Sequence, residues 1–174
     1  MHLIKSFRIL LMMAATLMLQ GTAFADPLPQ RTTPIPKTTQ GIPHMQIGIE
    51  AIPEISKELL DRVANIKGVE INNSILSLPG ALGFWVAEDV KVKRFEALVR
   101  GREFAHIHPD GSLHVSLPLE LALEAVDAGW AVRHPFAFSR RGWEGFVMVF
   151  TPMNKDELDV VFDLVARSFA HVVG

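Results

Sequence analysis

The sequence predicts an α+β domain, with helices packed on one side of an antiparallel sheet, and three observations carry that prediction. Apolar residues recur at helical spacing at Ile55, Leu59, Val63 and Ile66, and again at Leu158, Val161, Phe162, Val165 and Phe169. Short β-prone runs punctuated by Gly and Pro fill the middle of the chain. Residues 104–116 spell out a tight hairpin. The order helix, strands, helix, strands, helix then implies a single two-layer sandwich.

Residues 1–25 carry Lys5 and Arg8, an apolar run from Ile9 to Leu19, and Ala23-Phe24-Ala25, which is the layout of a secretory signal peptide. The run falls short of the roughly 20 apolar residues of a spanning helix, and no later stretch approaches that length without charges. The mature chain is therefore expected to lack a membrane span and to be exported, as a periplasmic or secreted protein. It contains no cysteine, hence neither a disulfide framework nor a lipid-attachment site. Residues 26–40, with Pro27, Pro29, Pro34 and Pro36 among threonines, read as an extended linker or a disordered arm. The folded domain is expected to cover residues 41–174.

Within that domain, Pro53 suits a first helical turn and Gly68 a stop, which places a helix over residues 53–66. Residues 69–72, 75–78 and 84–87 are β-prone and interrupted by Pro79-Gly80 and Gly83, so two strands with a bulge or a turn are expected there. Residues 94–98 are a further strand candidate. Leu119, Leu121, Leu123 and Val126, ahead of Gly129, mark a short helix over residues 118–128. Strands follow at residues 130–134 and 146–151. Asn154 as cap, with Glu157 as its capping-box partner, opens a last helix reaching His171.

The hairpin is the most informative segment. A type I turn with Pro109 and Asp110 at its centre and Gly111 in the left-handed conformation closes it with a three-residue loop. That loop pairs His108 with Ser112 and His106 with His114. By alternation, Ala105, Ile107, Leu113 and Val115 share an apolar face, while Phe104, His106, His108, Ser112, His114 and Ser116 share the other.

Opposed and next-nearest positions on one face lie within reach of one another, so His106, His108 and His114 can converge on one divalent cation such as Zn. His134, beside Pro135, is the natural fourth candidate, and Trp130 sits at the margin of the same ligand-binding face. The competing reading is that these rings line a polar sheet face and bond to neighbouring groups. There is no cysteine nucleophile and no Gly-x-Ser-x-Gly elbow; Ser112 and Ser116 are histidine neighbours on the same face, and a Ser-His arrangement is the one hydrolytic alternative they leave open. Asp110 is explained by the turn, and alternation assigns Glu103 to the opposite face. Gly80-Ala81-Leu82-Gly83 lacks the third glycine and the helix of a nucleotide loop. The chain has a formal charge of −2, and loss of Lys5 and Arg8 with the leader would take it to −4, which argues against nucleic acid as a partner.

Residues 102–174 resemble the small "luciferase domain" family. The likeness rests on Glu103-Phe104-Ala105-His106-Ile107-His108-Pro109-Asp110-Gly111-Ser112-Leu113-His114, on Ala128-Gly129-Trp130 followed by His134-Pro135, on the strand ending in Pro152, and on the closing amphipathic helix. The chain departs from the family pattern at Ala131-Val132-Arg133, where members often have Gly-Glu, and at Pro152-Met153, where they often have Pro-Arg. The residues themselves carry no luciferin or flavin signature. A weaker likeness, in element order and in Arg167-Ser168-Phe169, is to double-wing α+β domains of the YjbR type, and it bears on architecture alone. The expectation is a small domain that binds a small molecule or a divalent metal on the histidine face. An enzyme using the same cluster and a protein-interaction module are the alternatives.

Overall fold

Residues 27–174 are described by the structure, a computed structural model, and the expected signal peptide lies outside the described residues. A short hairpin, β1 (Lys37–Thr38) and β2 (Gln46–Ile47), precedes helix α1 (Pro53–Ala64). The main sheet is then built from β3 (Val69–Asn73), β4 (Leu82–Val86), β5 (Glu103–Ile107) and β6 (Leu113–Ser116). Helix α2 (Leu119–Asp127), β7 (Ala131–Arg133), β8 (Phe146–Val149) and helix α3 (Lys155–Val173) complete the chain. The sheet has six antiparallel strands in the order β3-β4-β5-β6-β8-β7. The fold is α+β, as expected.

The hairpin forms in the expected register. His106 faces His114, Ile107 faces Leu113, the His108 N–H donates to the Ser112 carbonyl at 2.8 Å, and Gly111 has φ +85°. Ala105, Ile107, Leu113 and Val115 join Leu59, Leu158, Leu164 and Val165 in one continuous core beneath the helices. Burying an aliphatic side chain of this size contributes roughly 1.5–3 kcal/mol, so the helix-covered face stabilises the sheet and leaves the other face free to be polar.

The 94–98 segment is corrected from strand to a single 3-10 turn at Phe95–Ala97. Its backbone N–H groups are drawn to the end of α3, where Lys93 and Arg94 both donate to the Val172 carbonyl and the Arg94 guanidinium reaches the His171 carbonyl. Residues 75–78 also form no strand, because the Ile75 N–H is taken by Glu103 and the Ser77 N–H by the Ser74 hydroxyl.

Helix α3 starts as its cap predicts, with Asn154 Oδ1 accepting from the Glu157 N–H at 2.9 Å. The reciprocal half of the capping box is absent. The Glu157 carboxylate accepts instead from the Met153 N–H at 2.9 Å, and pairs with Arg31 at 2.9 Å. Asn154→Ala should cost about 1 kcal/mol, read as a fall of roughly 2–4 °C in a thermal melt.

Arg31 belongs to the arm ahead of β1. That arm is fastened to the domain by hydrogen bonds. Arg31 N–H donates to the Ala128 carbonyl, Leu28 N–H to Glu124, and the Thr33 hydroxyl to Glu157. The Trp130 indole N–H donates to the Pro29 carbonyl at 2.6 Å. Pro-rich sequence suits this role because a chain with few free torsions loses little entropy when laid along a surface.

Candidate metal centre

Five histidines meet on the face of the sheet that the helices leave uncovered. His106 and His108 come from β5 and its turn, His114 from β6 and His134 from the end of β7, while His44 is delivered from outside the sheet by the β1–β2 hairpin. Gln46, two residues beyond His44, anchors that hairpin by donating to Thr151 Oγ1 at 2.7 Å and accepting from the Thr151 N–H at 3.1 Å. The five residues are only 4–6% exposed.

The ligand nitrogens of His106, His108 and His114 lie within 4.8 Å of one another, and so do those of His44, His114 and His134. His114 is common to both sets. Its Nδ1 is 3.0 Å from His106 Nε2, and its Nε2 is 3.2 Å from His44 Nδ1. His108 and His134 each meet the His114 ring edge-on, with centroids 4.7 and 4.5 Å away.

Burial is the largest cause that depresses the basicity of four of these rings. His108 is lowered to about 4, first by burial and then by His106. His134 is lowered to about 3 by burial and by His44. Burial likewise lowers His44, and it holds His114 well below 6.5. These four imidazoles are therefore neutral at pH 7, the form in which a ring nitrogen keeps a lone pair for a cation.

The hydrogen-bond partners assign the tautomers. Ser112 Oγ–H donates to Asp110 Oδ1 at 2.7 Å, so Ser112 accepts from His108 Nδ1–H at 3.0 Å and His108 Nε2 is left bare. The Glu103 carboxylate accepts from His106 Nδ1–H at 2.8 Å, which leaves His106 Nε2 bare. His134 differs, because its Nδ1 accepts from the Phe136 N–H at 3.0 Å and its proton then resides on Nε2.

Glu103 was excluded by strand alternation, and a β-bulge explains why it arrives. Phe84 pairs with Ala105, but Trp85 pairs with Glu103, so Phe104 is an extra residue on β5. The extra residue reverses the parity upstream. Phe104, expected on the histidine face, packs instead in the core against Phe84 and Phe169, and Glu103 turns to the histidines. Glu103 is fully buried and is held by the Ser74 hydroxyl at 2.8 Å and the Ile75 N–H at 3.2 Å. Gly83, opposite His106, leaves the space: a Cβ there would lie 3.1 Å from the Glu103 carboxyl carbon and 2.6 Å from Trp85 Nε1.

A cavity of about 340 Å³ opens above the histidines, walled by Leu76, Leu78, Val99, Phe136, Trp143 and Phe146. Trp130 does not line it, being buried in the core with its indole N–H bonded to the arm. Of the residues expected at the site, His106, His108, His114 and His134 are brought together, Trp130 is not, and His44 and Glu103 are additions.

No curated protein and no solved structure matches the chain. One family model does, over the stretch that supplies four of the five histidines together with Glu103. Residues 101–168 match the model of the Luciferase domain family.

Proposed function

We propose that the histidine face binds a divalent cation such as Zn through His106, His108 and His114, leaving a coordination position open toward the apolar cavity for a small molecule. The observation that carries this reading is the approach of those three ligand nitrogens within 4.8 Å in a buried pocket. Two of them, His106 Nε2 and His108 Nε2, are bare because Glu103 and the Ser112–Asp110 pair hold the opposite ring nitrogens. Such carboxylate-to-histidine contacts orient metal ligands and raise their basicity. His114 completes the set in the tautomer that carries its proton on Nε2 and donates it as a hydrogen bond to His44 Nδ1, His44 then carrying its own proton on Nε2. Three protein ligands and an open position are the donor set of a reactive rather than a sealed structural zinc. A cavity of about 340 Å³ with apolar walls and a polar floor suits a small, largely apolar ligand with one polar end.

Zinc titration of metal-free protein, followed by calorimetry, is the test. One equivalent should bind, and His106→Ala or His108→Ala should weaken uptake by more than about a hundredfold, since even loss of an outer partner costs 10–100-fold. Glu103→Gln should fall within that smaller range. Absence of uptake by the unaltered chain, or unchanged affinity in His108→Ala, would refute the cation site.

A second reading draws on the Glu103–His106 pair, whose 2.8 Å contact is the geometry of a carboxylate-oriented general base. It requires turnover of a cavity ligand by metal-free protein, and Glu103→Gln would reduce that turnover without changing zinc stoichiometry.

A further inference from the structure

We propose that the mouth of the cavity is a docking surface for anionic phospholipid, so that the cavity opens onto a bilayer rather than onto bulk water. The inference stands on the surface around the cavity and is independent of whether a cation is bound. Three separate connections each set an apolar side chain at the mouth: Ile42 between β1 and β2, Leu76 between β3 and β4, and Phe136 between β7 and β8. Together with Phe138 these residues are 45–58% exposed.

The end of β7 and the connection after it bring positive charge beside this rim, in a chain whose formal charge is −2. Arg133 closes β7, and the Arg140 guanidinium lies 3.9 Å from the ring centroid of Trp143, a wall of the cavity, whereas Arg141 and the connection's one acidic residue, Glu144, line a separate depression. The Arg133 guanidinium lies 4.9 Å from the Phe138 ring centroid, so an exposed aromatic and a cation share one position. Aromatic rings seat at the headgroup level of a membrane, and neighbouring arginines attract anionic lipid. A protein partner fits this surface less well, because the apolar residues encircle an opening and a rigid face laid across it would leave the cavity walls unpacked. Fluid lipid has no such constraint. The ligand class that follows is an apolar molecule that partitions into membranes and enters the cavity from them.

The test is co-sedimentation of the full chain with phosphatidylcholine vesicles, with and without phosphatidylglycerol. Residues 1–26 are common to every variant compared. The unaltered protein should pellet with the phosphatidylglycerol vesicles and release as salt is raised. Phe136→Ser with Phe138→Ser should weaken binding roughly tenfold or more, and separately Arg133→Gln roughly fivefold, while the thermal melt is retained. Arg140 is left in place because it bonds the Leu98 carbonyl. Three results overturn the proposal: no pelleting with either vesicle, pelleting by the phenylalanine pair equal to the unaltered protein, or self-association through this face in place of lipid binding.

Discussion

Glu157→Ala is expected to destabilise the domain by roughly 3–5 kcal/mol, the cost of leaving a buried charge without its partner. Glu157 and Arg31 are 2.9 Å apart with side chains 2% and 1% exposed, so water cannot take the place of the lost carboxylate. Arg31 is wedged over the rings of Trp130 and Phe150; its Nη2 makes the ion pair and donates to the Thr151 carbonyl at 3.0 Å, its Nε and Nη1 have no hydrogen-bond partner among the described residues, and burial already pulls its basicity down. The same substitution strips acceptors from the Thr33 hydroxyl and the Met153 N–H. The arm should then detach first, exposing Trp130. A urea melt gives the magnitude, and limited proteolysis ahead of β1 reports the detachment. Removing both charges, as Arg31→Met with Glu157→Leu, should cost less than Glu157→Ala alone, because no uncompensated ion remains. A double variant as unstable as the single one would show that packing, not charge, holds the arm.

How much of this was legible in the sequence depends on how local each determinant is. The hairpin register follows from four consecutive residues, Pro109, Asp110, Gly111 and Ser112, because turn chemistry is decided within the turn. Helix α3 was legible for a similar reason, since Asn154 and an apolar stripe act within one element. Glu103 was not, because alternation is a rule for an unbroken ladder and the bulge at Phe104 lies in the pairing with a strand some twenty residues earlier. One signal was present: a phenylalanine among histidines and serines on a supposedly polar face is an anomaly that a reversal of parity removes. His44 had no comparable mark. It reaches His114 across 70 residues of sequence, and its position depends on Gln46 finding Thr151, a contact that no local pattern encodes. Arg31 and Trp130 make the same point from the other side. Composition alone cannot separate a free Pro-rich arm from one held by a buried ion pair and a handful of long-range hydrogen bonds.

Metal-free protein should lose stability steeply below about pH 6.5, with a fall of roughly 3 kcal/mol by about pH 4 attributable to His108 alone. An unfolded histidine titrates near 6.5, whereas in the fold His108 is lowered to about 4 and His134 to about 3, with burial the largest cause for both. Between those values the unfolded chain takes up protons that the folded chain refuses, so the equilibrium moves toward unfolding as pH falls and levels off above about pH 7.5. His114 and His44 are depressed in the same sense and steepen the slope. An ordinary domain has only about 5–15 kcal/mol in hand, so acid unfolding is expected well above the pH at which carboxylates protonate. Urea midpoints at pH 7.5, 6, 5 and 4.5 measure this, and His108→Gln should flatten the curve by removing one refused proton. A midpoint that does not change between pH 7 and 5 would mean that the rings are protonated in the fold, hence solvated and poor cation ligands. Added zinc should shift the transition to lower pH, because a cation held by neutral imidazoles stabilises only the folded chain.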